Sequence, residues 1–517
     1  MKKIFFIILF IAASALAIAQ EPADALRYAW TIPSGTARQQ AVGGAMASLG
    51  GDISATYVNP AGLGFYKTGD FVFTPAYNLG NTKSTYFGRT DEKQKKNFFT
   101  MGTTGIVFGT GTNDTKKRGL RGSAFSLAIN RTANFGSHIV YLGQNNQSSY
   151  SQKFLEQIRN DGVKDPNVVA SNYEYGTSLA FNTYWIDTIA GGTAGNYQFQ
   201  TRAPIATGLL QRQEITNKGG ITELALGYGA NYNDKVYVGA SLGVNFLTYD
   251  RTAIFDEADA TANTNNKFDF ASFTENLSTR GTGFIVRAGL IYKPVEYIRL
   301  GLAVHSPGLI TLTDKYNSSI TTNTEAYQGE LTQTSEFLTG NTNAEFKYNL
   351  ITPYKIIGSI SYVLREIEDV RKQKGFLTAD LEYVNYKASS FMELEADKGN
   401  TEIVSYLDQL NDAIDKAYKG TFNFRAGGEL KFTTVMVRLG AAYYGNPYKD
   451  LVGEKGSKFQ ASGGLGYRNK GFFVDLTYIH TFGKDVHTPY RLDSGLTPIV
   501  KIKSNTGNAV LTVGFKI

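Results

Sequence analysis

Cysteine is absent from this 517-residue chain, which leaves it without a disulfide framework, a thiolate metal site or a lipid-anchoring cysteine. Histidine is nearly absent too. The four residues, His138, His305, His480 and His487, show no metal-ligand spacing; the pattern places His305 and His480 near outer strand ends and His138 and His487 in loops. Asp485 and His487 are close in a polar segment that reads as solvated surface. No cofactor or metal is expected, and the chain is not read as an enzyme. A dominant charge is also lacking: 52 Lys and Arg are interspersed with 45 Asp and Glu, without the basic patch or tail of a nucleic-acid protein. Beyond residue 19 no stretch supplies the roughly eighteen apolar residues of a spanning helix. A membrane could then be crossed only by a closed barrel.

What is present begins with Lys2, Lys3 and an apolar run over 4–18 that ends in "AIA" at 17–19, the composition of a secretory signal peptide over residues 1–19. The mature chain is expected to start near Gln20 in an exported compartment. Phe (33), Tyr (32) and Gly (55) are abundant and Pro (12) is sparse, as in β-rich chains. In "KVYVGASLGVNF", Val236, Val238, Ala240, Leu242, Val244 and Phe246 share one face, and Tyr237, Gly239, Ser241, Gly243 and Asn245 the other. Similar segments recur near 69–79, 97–109, 119–133, 221–232, 235–250, 281–292, 296–312, 343–364, 375–391, 419–430, 434–446, 457–468, 471–482 and 507–517. They predict an all-β fold, a 14-stranded antiparallel transmembrane β-barrel. Gaps after odd-numbered segments are long. Those after even-numbered ones are mostly short, such as "ND" at 233–234 and "NK" at 469–470. This is the pattern of a bacterial outer-membrane barrel with both termini periplasmic.

A barrel of that size encloses an open lumen unless something fills it. Residues 20–66 are too short for a separate domain and too rich in Gly and Ala for a plain linker, so they are assigned as an N-terminal hatch (plug) inside the lumen. Residues 67–517 are then the barrel with its long extracellular loops. Asn59-Pro60 alone reads equally well as a turn initiator. The whole block "AVGGAMASLGGDISATYVNPAGLGFY", with Gly43-Gly44-Ala45, Asp52, Ala55, Tyr57 and Asn59-Pro60-Ala61-Gly62-Leu63, resembles the hatch of the FadL/OmpP1/TodX family of outer-membrane transporters for hydrophobic compounds. The leader, the barrel and the loop order extend that resemblance over the chain. It implies uptake of long-chain fatty acids or aromatic hydrocarbons and a gate at Asn59, Pro60 and Ala61. It also implies a kinked third strand and release through a wall gap beside the Asn-Pro-Ala element into outer-membrane lipid.

Arg287, Arg299, Arg425 and Arg438 each stand two residues before an inward glycine. They are expected to ring the lower lumen and to pair with Glu223, Asp380, Glu382, Glu429 and Asp475, holding strands and hatch together. In "TEIVSYLDQLNDAIDKAY", Ile403, Leu407, Leu410 and Ile414 fall at helical spacing. Phe154, Leu155, Ile158, Leu179, Phe181, Trp185 and Ile186 gather apolar mass in another loop, either to pack loops on one another or to capture an apolar ligand first. Rival readings are a general diffusion porin, which has no use for residues 20–66, and a haemin or aromatic-compound receptor using outer histidines. The expected partners are hydrophobic small molecules and outer-membrane lipid, with no nucleic acid. A closed barrel needs no second copy to satisfy its edges, so a monomer is expected.

Overall fold

Val238, Leu242, Val244 and Phe246 are exposed on the outer surface, while Tyr237, Ser241 and Asn245 are buried inside, so the two-residue period is realised as strand geometry. The computed structural model describes residues 21–30, 34–91, 93–112, 118–193, 195–261, 263–364, 374–493 and 495–517. The leader expected at 1–19 lies outside them. The described residues form a closed antiparallel barrel of 14 strands. In chain order these are β1 (Asp70–Phe73 with Pro75–Tyr86), β2 (Gln94–Met101 with Thr104–Gly111), β3 (Leu120–Asn134 with Ser137–Asn145), β4 (Leu209–Tyr232) and β5 (Val236–Asp259). There follow β6 (Phe270–Val295), β7 (Ile298–His305 with Leu309–Asn323), β8 (Ala344–Ile351 with Lys355–Leu364), β9 (Gly375–Asn385) and β10 (Gly420–Phe432). The last four are β11 (Val435–Tyr444), β12 (Lys458–Asn469), β13 (Phe472–His487) and β14 (Val500–Lys516). Pairing of β1 with β14 closes the wall.

Short turns gather at one end. Asn233 and Asp234, with φ of 56° and 55°, have the left-handed backbone of a tight hairpin turn, which Asn and Asp tolerate best after glycine. Long connections gather at the other end. The β3–β4 loop carries α-helices named here after those of the N-terminal segment: α1 (Pro22–Ala29), α2 (Ala37–Ala41) and α3 (Ala55–Val58) precede the barrel, and α4 (Ser151–Asn160), α5 (Pro166–Ser171) and α6 (Thr177–Asn182) lie in that loop. The β7–β8 loop holds α7 (Ser335–Leu338) and the β9–β10 loop α8 (Thr401–Ala417).

Several strands run further than their apolar pattern. β4 starts at Leu209 and β14 at Val500, well before the expected 221 and 507. These extensions lie toward the long-loop end, where the outer face carries half-exposed ion pairs such as Arg212 with Glu214 (2.6 Å) and Asp256 (3.1 Å). Polar residues on the outer face erase the alternation but not the ladder.

Among the described residues the wall is interrupted between β2 and β3. Their register ends at Thr104↔Ile129; beyond it the Gln94–Met101 half of β2 pairs with β1 alone among the described residues. The outer half of β3 bends away and leans on β1, where Thr82 Oγ1 donates to the His138 carbonyl (2.5 Å) and Tyr141 meets Tyr86. Gly219 and Gly220 of β4, at φ +105° and +155°, sit opposite this bend. Such angles are open to glycine and strained for other residues. Thr100 Oγ1 to Asn134 Oδ1 (3.4 Å) spans the break, and the Phe98 ring lies against Gly136.

Candidate functional site

Residues 37–57 run round the barrel interior from β14 back to β3, and Asn59 and Pro60 then turn back onto β5 to β7. The Ala37 N–H donates to Thr512 Oγ1 (2.7 Å) on β14, and the Ala37 carbonyl accepts from Thr477 Oγ1 (2.7 Å) on β13. The Ala41 carbonyl accepts from Ser462 Oγ (3.0 Å) on β12. The Met46 and Ala47 N–H groups donate to Asp380 Oδ2 (3.1 and 3.3 Å) on β9, and Ser48 meets Ser359 (2.7 Å) on β8. The circuit ends with Thr56 on Ser126 (2.8 Å) and the Tyr57 hydroxyl on the Ala128 carbonyl (2.7 Å), both on β3. Inward Ser and Thr thus satisfy hatch backbone groups that short helices leave unpaired. Within the hatch, Asp52 accepts from Thr36 Oγ1 (2.9 Å) and from the Ser54 N–H (2.9 Å), which clasps its start to its middle.

The glycine that follows each of the four arginines receives the hatch. A Cβ on Gly301 would lie 2.5 Å from the Ala47 carbonyl oxygen, and one on Gly427 2.5 Å from that of Val42. Gly289 and Gly440 are approached as closely by Asn59 and Gly43. The arginines themselves form two tiers, not the single lower ring expected. Chain direction is the reason. β6 and β10 descend toward the short turns, so Arg287 and Arg425 stand above the hatch; β7 and β11 ascend, so Arg299 and Arg438 stand below it. Gly427 and Gly440 are register partners, which fixes the level.

Arg287 grips Glu223 (2.5 and 2.8 Å), and Arg425 grips Glu382 (3.2 and 3.3 Å) with Asp380 at 4.0 Å. Arg438 joins Glu429 (2.6 Å) to Asp475 (2.5 Å). These three bind strand to strand. Arg299 holds the hatch itself, donating to the Leu49 carbonyl (2.7 Å) and covering the Phe65 ring (4.7 Å). All four are buried, and paired, hydrogen-bonded guanidiniums are the form in which such burial is tolerated.

Asn59, 1% exposed, is extended between α3 and the following turn Pro60–Phe65, as the residue before proline should be. Its Oδ1 accepts from the Ala61 N–H (3.1 Å); its Nδ2 faces the carbonyls of Ala47 (2.6 Å), Leu290 (3.3 Å) and Leu302 (3.4 Å). Pro60 lies against Gly239 of β5. The Asn-Pro-Ala element therefore rests on β5 to β7, away from the wall break. The break is met instead by Ser34, whose carbonyl accepts from Asn130 Nδ2 (3.2 Å) on β3.

Above the hatch lies a cavity of about 120 Å³. Arg287, Lys355 and Glu382 form a charged side, Ile221, Ile285 and Ile310 an apolar one, and Ser34 and Asn130 extend the lining to the break. His305 closes its floor through Nε2 to the Val58 carbonyl (2.9 Å). His138 and His487 lie in β3 and β13, not in loops, and contact Glu214 (3.1 Å) and Gln213 (2.8 Å); Asp485 contacts Tyr448 (3.4 Å).

Higher still, the lumen becomes an apolar chamber. Ile221, Leu247, Leu277, Leu312 and Tyr348 face inward below the buried stripe of α8, Ile403, Leu407, Leu410 and Ile414. α1 fills the space between with Ala25, Leu26, Tyr28 and Ala29. The signal was present in β5, where the inward parity of Tyr237 and Ser241 continues through Leu247 and Tyr249. Glu21 begins α1; burial works to raise its carboxyl pKa, but Arg251 and Arg27 outweigh it and hold the group below the usual range. In the β3–β4 loop, Phe154, Ile158 and Trp185 are buried in a cluster with Tyr150, Phe255 and Tyr490; Leu155 and Phe181 pack at its half-exposed edge.

Solved structures with this architecture include a Pseudomonas aeruginosa FadL homologue (TM-score 0.53, 14% identity, covering 94% of this chain and 99% of that one). The toluene transporters TodX of P. putida (0.50, 12%) and TbuX of Ralstonia pickettii (0.50, 14%) align over the same 94% and 99%. The chain has the fold of these channels. No family model matches the sequence, and no curated protein matches it.

Proposed function

We propose that this chain is an outer-membrane channel that takes up hydrophobic compounds, long-chain fatty acids foremost, and releases them sideways into the membrane. The carrying observation is the juxtaposition of a hatch-blocked lumen, a cavity with one charged and one apolar side, and a wall break that the cavity lining reaches at Asn130. An amphiphile can present a carboxylate to Arg287 and Lys355 while its chain follows the isoleucines toward the break. Capture begins at the long-loop end, where Leu155 and Phe181 form the accessible edge of the loop cluster. The hatch around Asn59, Pro60 and Ala61 keeps the lower lumen shut, which leaves the break as the route out. The orientation, with the short turns and both termini periplasmic, follows the general rule for bacterial barrels. Small aromatic hydrocarbons are the second reading: the cavity of about 120 Å³ is near the ~150 Å³ at which an apolar cavity holds benzene, and TodX and TbuX are toluene transporters.

The test uses the cysteine-free background. Thr100 and Asn134 side chains already meet at 3.4 Å across the break, so T100C/N134C staples it under oxidation. Fatty acid should co-purify with the wild-type protein, and oleate uptake should stop in the oxidised variant and return on reduction. Uptake indifferent to the staple, or conduction of small hydrophilic solutes through an empty protein, overturns the reading in favour of a porin.

A further inference from the structure

Charges on the outer face at the long-loop end are distributed unevenly round the wall. On β4 to β8 they form groups of opposite sign: Arg212 with Glu214 and Asp256, Arg280 with Asp250 (2.7 Å), and Lys315 and Lys347 with Glu345 (3.4 and 3.0 Å). On β1, β2, β13 and β14 they are mostly lysine. Lys83 of β1 is the register partner of Lys503 of β14, and Lys503 is the partner of Lys484 of β13, so three lysines stand side by side in one row. Lys501 stands one row higher on β14, and Lys95 of β2 one row lower, opposite Asn81. All five are exposed, and the buried Ser84, Tyr86, Val500 and Ile502 mark the inward parity, so the lysines face out. Glu454 reaches Lys484 (3.4 Å) and Lys501 (3.1 Å); Lys83, Lys95 and Lys503 have no carboxylate partner among the described residues.

The geometry points to a binding site for the phosphorylated headgroup of an anionic lipid in the leaflet at the long-loop end, held by Lys83, Lys484, Lys503 and Lys95. This rests on the barrel spanning the outer membrane, not on which compound it carries. Neighbouring strands lie roughly 4.8 Å apart, and like charges directly opposite one another destabilise a sheet. The lysine row is therefore unfavourable until an anion bridges it. Its height suits a headgroup: Phe482 lies one row below Lys484 on β13 and Phe99 two rows below Lys95 on β2, both exposed, in the manner of the aromatic girdle at a membrane interface. Lysine stems lie along such apolar surface while their charged ends reach the headgroup layer, where clusters of lysine attract anionic lipid. Between the rings and the lysine row, Asn81 and Asn505 face out as register partners and offer amide donors to phosphate or sugar oxygens. β2 borders the wall break, so acyl chains below the headgroup descend past Phe99 at its edge. The paired charges of β4 to β8 leave no comparable positive surplus.

Native mass spectrometry of the full chain in detergent, with diphosphorylated lipid A as the probe, tests the assignment. K83A/K484A/K503A should bind about a hundredfold more weakly than wild type, at about fivefold for each lysine near an anionic surface. K83R/K484R/K503R should retain binding, because the charge is kept. K315A/K347A, whose lysines share Glu345, should bind as wild type does. Lipid A stripped of both phosphates should bind the wild type as weakly as the intact lipid binds the triple-alanine variant. Folded migration on a gel before heating checks that each variant has formed its barrel. Equal binding by the wild type and the triple-alanine variant, or equal binding of the phosphate-free lipid, overturns the site. Displacement of lipid A by an equimolar amount of inorganic phosphate overturns it too, in favour of a site for the free ion. Oleate binding measured in parallel bears on the uptake reading alone: its absence in the wild type overturns that reading and leaves the lipid site standing.

Discussion

The Asn59 side-chain amide donates to the Ala47 carbonyl at 2.6 Å, joining two parts of the hatch that are bound to different strands. The same amide faces the Leu290 and Leu302 carbonyls, so one buried side chain fastens the hatch to itself and to β6 and β7. Asn59→Ala should cost about 1–3 kcal/mol, the usual loss when buried partners are left unsatisfied. The barrel should still form, while the hatch becomes accessible to protease and single-channel conductance rises. Conductance and protection equal to wild type would show that Asn59 does not hold the hatch shut.

Glycine at the hatch level gives a controlled comparison. Gly301→Ala and Gly427→Ala each put a methyl within 2.5 Å of a hatch carbonyl oxygen, whereas Gly358→Ala meets nothing within 4 Å. The first two should destabilise the seated hatch by roughly 1–3 kcal/mol, as overpacking does, and should produce ion leak in planar bilayers. Gly358→Ala should behave as wild type.

Two arginines of the lower tier, bound to different partners, separate barrel stability from hatch closure. Arg438→Ala removes the cation that bridges buried Glu429 and Asp475 and leaves them only the longer pairs to Arg38 (3.6 Å) and Arg468 (3.9 Å), a loss toward the lower end of roughly 3–5 kcal/mol. The heat-induced shift from folded to unfolded migration on a gel should move to lower temperature. Arg299→Ala removes the bond to the Leu49 carbonyl and should increase conductance with a smaller effect on that midpoint. Equal behaviour of the two variants would contradict the division of labour between strand-to-strand and strand-to-hatch arginines.

Phe154 and Trp185 are buried in the loop cluster, which assigns them to packing of the long-loop end. Phe154→Ala should therefore cost about 3–5 kcal/mol of local stability and expose the β3–β4 loop to limited proteolysis. Leu155→Ser, at the half-exposed edge, should leave folding unchanged and weaken first capture of oleate. The reverse pattern would mean that the enclosed ring cluster opens to receive ligand.

The strand period, the alternation of loop lengths and the helical stripe of Ile403, Leu407, Leu410 and Ile414 were readable without coordinates. Each is a local property: alternating side chains and turn residues act over a few positions. Asn59-Pro60-Ala61 and the Arg-x-Gly repeats were equally visible, since a small inward residue beside a buried charge stands out in one line of text. The tiers were not, because a motif lies above or below the hatch according to the direction of its strand. The placement of the wall break depended on where Gly219, Gly220 and Gly136 meet across neighbouring strands. The apolar chamber needed inward residues from six strands, a loop helix and α1 to converge. Sequence determined a sealed barrel with a small-residue hatch. Tertiary structure alone decided where it is open inside and where its wall is unjoined, because register and chain direction are relations between segments distant in the chain.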